Sequence, residues 1–168
     1  KKDIALLENW EEKLDKMAQS VLNENICIIA GIPSWTLLLL KKVLEKSGKN
    51  SIVEVWPNLE LYIHGGMSFK PYQEAFHEIL QIPRMNYVES YNSSEGYFGL
   101  QDQIDSKELL LLTNSQVFYE FIPMTEFEGL DSKTVITLEN VETDKEYALV
   151  ITTSSGLWRY IIGDTVRF

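Results

Sequence analysis

A strand, a glycine turn and a helix follow one another early in the chain, and this order limits the possible folds most. Residues 26–30 are fully apolar, residues 31–34 (Gly-Ile-Pro-Ser) turn the chain, and a helix is predicted over about residues 35–46. Ser34 is placed to cap this helix, and Gly48 follows its end, where a left-handed residue closes helices. The layout brings helix-terminal N–H groups close to a ligand, although an ordinary strand-to-helix connection has the same pattern.

Further helices and strands are predicted around this unit. Residues 3–22 carry one apolar stripe at helical spacing, which is typical of a packing helix. Residues 58–64 predict a strand that ends at the pair Gly65 and Gly66, where the backbone can approach a flat ligand closely. His64, just before the pair, fits either a buried structural histidine or a site residue. A helix with an apolar face follows from Pro71 to Leu80.

Residues 91–99, Tyr-Asn-Ser-Ser-Glu-Gly-Tyr-Phe-Gly, combine hydroxyls, a carboxylate, glycines and aromatic rings after a strand predicted over residues 86–89. Ser93 and Ser94 can donate to phosphate oxygens. Glu95 can hold Mg²⁺, which proteins bind through one or two carboxylates while phosphates supply other ligands. Three rings of this segment could cover a flat base: Tyr91, Tyr97 and Phe98. A polar turn with its rings in the core explains the same residues without a ligand.

The second part of the chain favours strands. Strand-like segments cover residues 109–112, 117–122, 134–138 and 147–153. Residues 147–151 are apolar at every position, which predicts a strand covered on both faces. We therefore expect an α/β class, with residues 1–90 α/β layered and residues 91–168 mostly β, in one folding unit of ordinary length.

The last motif, at residues 156–167, reads Gly-Leu-Trp-Arg-Tyr-Ile-Ile-Gly-Asp-Thr-Val-Arg. Its glycine followed by Asp164, after an apolar strand, predicts a carboxylate at a strand end, where it can accept from two ribose hydroxyls. Arg159 and Arg167 either contact a ligand or pair with an acid on the sheet. Glu120, inside an aromatic strand, either faces solvent or pairs with a cation.

Together these motifs resemble the second and third nucleotide-binding motifs of the adenylate-forming superfamily. Within it, the resemblance is closest to the Gretchen Hagen 3 (auxin-responsive) acyl acid amido synthetases. Three runs follow the family's order: residues 91–98, 118–123 and 156–164. The resemblance covers roughly residues 25–168. Trp158 stands where the family usually has Tyr, and Ile161 where it often has a basic residue.

The resemblance implies an ATP-dependent ligase that converts a small carboxylic acid to an acyl-adenylate and transfers the acyl group to the amine of an amino acid. ATP and Mg²⁺ are the implied cofactors. Glu95 would position the metal and, with Ser94, act in catalysis. The other implied nucleotide contacts are Ser93 and Ser94 on phosphate, Gly65 and Gly66 beside adenine, Tyr91 or Tyr97 stacking on it, and Asp164 on the ribose.

Two segments that enzymes of the superfamily carry are absent from these residues: the Ser/Thr/Gly-rich phosphate loop with its lysine, and the mobile C-terminal domain. The chain is therefore expected to be an internal fragment of the large domain, with little or no turnover alone. An acyl-CoA or aryl-CoA ligase-like enzyme, a non-catalytic nucleotide- or acyl-binding module and a structural domain are the alternatives. The acid, the amine and the oligomeric state are left open.

Composition excludes several function classes. The net charge is −10 without a basic stripe, which argues against nucleic acid and means that a small anion needs local donors. Apolar runs are far shorter than the roughly 20 residues of a membrane span. A single cysteine, Cys27, and no signal peptide at the start favour a reducing, cytoplasmic location.

Overall fold

The computed structural model describes residues 2–103, 106–131 and 133–168, in a first compact unit up to Leu111 and a second from Leu112. The helices are α1 Lys2–Ala5, α2 Trp10–Val21, α3 Pro33–Ser47 and α4 Gln73–Leu80. The strands are β1 Ile28–Gly31, β2 Leu61–Gly65, β3 Asn86–Asn92, β4 Tyr97–Leu100, β5 Leu110–Leu111, β6 Val117–Pro123, β7 Ile136–Thr137, β8 Glu146–Thr153 and β9 Tyr160–Arg167.

The first unit is built on a sheet with the order β1-β2-β3-β4-β5. β1, β2 and β3 are parallel, and β4 and β5 join them antiparallel. Helices cover the sheet through a core in which Leu40 of α3 and Phe76 of α4 are at most 1% exposed. Tyr62 of β2 stacks on Phe76 with ring centroids 4.8 Å apart. The apolar face predicted for α4 is therefore the face that is buried.

Two helix starts differ from the prediction, and one helix end agrees with it. The helix predicted over residues 3–22 is two helices, because the side chain of Asn9 accepts from the Glu12 N–H at 2.9 Å and starts α2 afresh. The predicted cap at Ser34 is wrong, since α3 already begins at Pro33, whose ring fixes φ for a first helical position. Gly48 closes α3 as predicted, with φ 66° and its N–H donating to Leu44 O.

The first sheet continues beyond residue 90, where the sequence predicts the change from α/β to mostly β. β4 returns against β3, with Tyr91 opposite Gly99, and β5 pairs with β4. The boundary between the two compact units therefore lies at residues 111 and 112, after this hairpin. That the whole chain folds as one domain stays a prediction.

The second unit is an antiparallel sheet with the order β7-β6-β8-β9. β8 is the most buried of these strands, and its residues 147–151 are all buried, as their continuous apolar run predicts. β6 and β8 lie within one residue of the predicted segments 117–122 and 147–153. Among the described residues, no helix has the length and apolar character needed to cross a membrane.

Candidate functional site

Three parallel strands of the first unit end at the same edge of the sheet. β1 ends at Gly31, β2 at Gly65 and β3 at Asn92. Because the carboxyl ends of parallel strands meet at one edge, the loops after these strands lie where open α/β sheets bind ligands. The predicted residues Gly65, Gly66 and 93–95 are brought together at this edge.

Gly65 lies in a place where no side chain fits. A Cβ there would collide with the backbone carbonyl oxygen of Ser90 and lie 2.7 Å from the Ser90 Oγ and 3.1 Å from Asn92 Oδ1. Gly66 has a φ of +77°, which favours glycine, and it is exposed beside Ile32. The pair therefore lets β2 pass close to β3 and then turn with bare backbone at the sheet edge.

The turn between β3 and β4 holds the three polar residues of the central motif. The Ser93 N–H donates to Gly96 O at 2.9 Å, which closes the turn. The Ser93 hydroxyl donates to Glu95 Oε2 at 2.6 Å and accepts from the Glu95 N–H at 3.1 Å. Ser94 is exposed, and Glu95 is half-buried. A carboxylate and an exposed hydroxyl thus stand side by side at the carboxyl end of β3.

The aromatic rings of the motif divide between core and surface. Phe98 is fully buried, and a Cβ on Gly96 would lie 2.8 Å from its ring. Tyr91 is half-buried with its ring centroid 5.1 Å from that of Phe98. Tyr97 is 41% exposed. Phe98 therefore belongs to the core, while Tyr91 and Tyr97 keep surface that a flat ligand could cover.

His64 is a buried residue of β2, 5% exposed. Its ring stacks on Phe69 at 4.4 Å and lies 5.5 Å from the ring of Tyr62. Nδ1 is buried and has no hydrogen-bond partner in the part of the chain that the structure describes. Burial lowers the pKa of His64 below its ordinary value, so that the neutral ring is favoured. Its contacts are those of a packed structural histidine.

Two residues of this edge are not among the predicted site residues. The Ser90 hydroxyl donates to His64 O at 3.1 Å and lies 3.3 Å from Asn92 Oδ1. Both side chains border the position where a Cβ of Gly65 would stand. The available signal was strand alternation, which places residues 90 and 92 on one face of β3.

Asp164 lies in the second unit, in the middle of β9 rather than at a strand end as predicted. Ile161 pairs with Val150 and Thr165 with Ala148, so that residues 162–164 all face the single residue Leu149. The strand bulges here, with Gly163 at φ +97°. Bulges re-aim side chains and are frequent beside active sites. The glycine therefore serves to distort a continuing strand, and Asp164 is exposed within it.

The arginines of the second unit pair with acids. Arg159 Nε lies 3.1 Å from Glu120 Oε2, and Arg167 lies 2.7 Å from Asp144 Oδ1. Both arginines are mostly exposed, which makes these ion pairs weak. Each arginine therefore pairs with an acid, and Glu120 pairs with a cation.

The donor set fits a magnesium ion held mainly by phosphates. No group of three or more His, Cys, Asp or Glu residues with metal-binding geometry occurs within residues 2–103, 106–131 and 133–168. Mg²⁺ needs no such cage, because one or two carboxylates together with substrate phosphates and water complete its octahedron. Glu95 is the carboxylate at the glycine-bordered sheet edge that can take this part.

Comparison with known families shows which family the chain belongs to. The model of the GH3 family N-terminal domain matches residues 1–84, and that of the GH3 family central domain matches residues 110–168. The chain belongs to the GH3 family. The resemblance to this family is confirmed.

Relatives of this GH3 chain are amido synthetases. It is 32% identical to indole-3-acetic acid-amido synthetase GH3.4 of Arabidopsis thaliana, with 96% of this chain and 30% of the relative covered. It is 28% identical to jasmonoyl-L-amino acid synthetase JAR4 of Nicotiana attenuata, with 94% of this chain and 30% of the relative covered. The chain thus spans about 30% of the length of these curated relatives.

The fold matches a solved member of the same family. The GH3.15 acyl acid amido synthetase superposes with a TM-score of 0.70 at 16% identity, over 98% of this chain and 38% of that one. The α/β class, with a β-rich second half, is therefore confirmed, and it is the fold of part of this solved amido synthetase.

Proposed function

We propose that this chain forms part of an ATP-dependent acyl acid amido synthetase. An oxygen of a carboxylic acid attacks the α-phosphorus of ATP, the bond to the β-phosphate breaks, and pyrophosphate leaves from the acyl-adenylate. The amine of an amino acid then attacks the acyl carbon, loses a proton and displaces AMP. The observation that supports this most is the sheet edge where bare glycine backbone, Ser94 and Glu95 converge in a chain of the GH3 family.

The residues of the first unit take the phosphates and the base. Glu95 contributes the carboxylate for Mg²⁺, which neutralises phosphate charge when bound. Ser94, exposed in the turn, donates to a phosphate oxygen. The backbone at Gly65 and Gly66 borders the adenine. Tyr97 offers the more exposed ring for stacking, since Tyr91 packs partly on Phe98.

Asp164 is the residue that the family resemblance implies for the ribose. An ionised carboxylate has two acceptor oxygens, which suits a pair of neighbouring hydroxyls. The bulge at Gly163 supports this role, because a strand that only had to pair with β8 would not need to break its register at this residue. The substrates proposed are a small carboxylic acid and an amino acid, and the location proposed is the cytoplasm.

Calorimetric titration of the chain with AMP and with Mg·ATP tests the ribose assignment. We expect the wild-type chain to bind and Asp164→Ala to bind at least about tenfold more weakly, since charge-assisted hydrogen bonds are lost. Asp144→Ala is the matched control, because it removes an exposed acid of the same unit and should bind like the wild type. Equal binding by Asp164→Ala would refute the assignment of Asp164.

A further inference from the structure

Ser93 and Glu95 are joined by two hydrogen bonds inside the turn between β3 and β4. The Ser93 hydroxyl donates to Glu95 Oε2 at 2.6 Å, a length that is typical of a hydroxyl on a charged carboxylate. The same oxygen accepts from the Glu95 N–H at 3.1 Å. A serine hydroxyl carries one proton. While that proton is on Glu95, Ser93 has none to give to a phosphate.

We infer that Ser93 is a positioning residue for Glu95, and that the phosphate contact of this turn belongs to Ser94 alone. The inference rests on the proposed function and changes one part of it, because the family resemblance places both serines on phosphate. The two hydroxyls differ in the way this division requires. The Ser93 hydroxyl is half-buried and bonded to Glu95, whereas Ser94 is exposed at the sheet edge.

The division has a physical reason in the flexibility of glutamate. A single long carboxylate that must meet a cation is more effective when its rotamer is fixed before the ligand arrives. The Glu95 N–H occupies one lone pair of the Ser93 oxygen and thereby fixes its orientation. The turn closed by Ser93 N–H and Gly96 O keeps both partners in place. Hence Ser93 orients the carboxylate of Glu95, and Ser94 is the hydroxyl that faces the ligand.

The nucleotide test compares Ser93→Ala with Ser93→Thr, which keeps the hydroxyl. We expect Ser93→Ala to bind Mg·ATP about tenfold more weakly, the loss of one hydrogen bond to a charged group, and Ser93→Thr to bind like the wild type. Binding of ATP in the presence of a chelator should not change. In a Glu95→Gln background, Ser93→Ala should add nothing, because the two residues act as one unit. Additive losses, or an equal loss without Mg²⁺, would show that Ser93 contacts the phosphate and would overturn the inference.

A second measurement needs no nucleotide. Side-chain NMR couplings of Glu95 report whether its carboxylate occupies one rotamer. We expect one rotamer in the wild type and in Ser93→Thr, and averaged couplings in Ser93→Ala. A fixed rotamer in Ser93→Ala would overturn the positioning role. If the wild type binds neither AMP nor Mg·ATP, the proposed function fails, and this measurement still decides what Ser93 does.

Discussion

At the scale of single residues, the titration of His64 should affect the stability of the first unit. The ring is 5% exposed between Phe69 and Tyr62, and burial lowers its pKa below the ordinary value of 6.5. Protons therefore bind the unfolded chain first. The free energy of unfolding should be unaffected by His64 at high pH and should fall as the pH drops below about 6.5, until the lower pKa of the folded state is passed.

Replacement of the His64 ring tests this pH dependence of stability. His64→Phe keeps the aromatic stacking and removes the titration, so that it should lose less stability on acidification than the wild type. His77→Gln is the control, since His77 is the other histidine and is exposed on α4. Urea unfolding at about pH 8 and about pH 5, the range in which histidine changes charge, measures the difference. The same pH dependence in His64→Phe and the wild type would contradict the expected effect.

On the scale of single elements, the effect of the β9 bulge on ligand binding can be tested apart from the cost of its backbone strain. Gly163 has a φ of +97° in the bulge and Gly156 a φ of +110° in the preceding turn, and neither has an atom within 4 Å of its missing Cβ. Alanine at either glycine should cost about 1–3 kcal/mol in backbone strain. If the bulge aims Asp164 at the ribose, Gly163→Ala should also weaken AMP binding at least about tenfold, because small misplacements of binding groups are costly. Gly156→Ala should bind AMP normally, and equal affinities in the two variants would separate the bulge from ligand binding.

The elements also show how far sequence patterns reach. Periodicity found the buried face of α4 and the continuous core strand β8, because both depend only on which side chains are apolar. It missed the break before α2 and the early start of α3, since Asn9 and Pro33 act through single backbone groups that a pattern of apolar residues does not contain.

The candidate site shows the same limit. The motifs located Gly65, Glu95 and Asp164, which occupy the sheet edge and the bulge. The internal partner of Ser93 and the contact of Ser90 with the β2 backbone could not be predicted, because each depends on a hydrogen-bond direction within a turn or between two strands. Residue types carry the chemistry of a site, whereas the three-dimensional structure decides which donor faces the ligand.

For the molecule as a whole, the excess of acidic residues predicts how salt affects the binding of AMP through its phosphate. The chain has 15 basic and 25 acidic residues, and Arg159 and Arg167 near the Gly-Asp motif are paired with acids. The phosphate donor proposed in the first unit, Ser94, is neutral, and the net negative charge of the chain repels an anion. Salt should consequently strengthen the binding of AMP. The association constant should rise by up to about tenfold as the ionic strength increases from about 0.01 to about 0.1 M, because the screening length then falls from about 30 to about 10 Å. Adenosine has no charge and is the matched control, with an affinity that should stay constant over the same range. Weaker AMP binding at higher salt would instead mean that a lysine or arginine reaches the phosphate, and Ser94 would then lose its place as the principal donor.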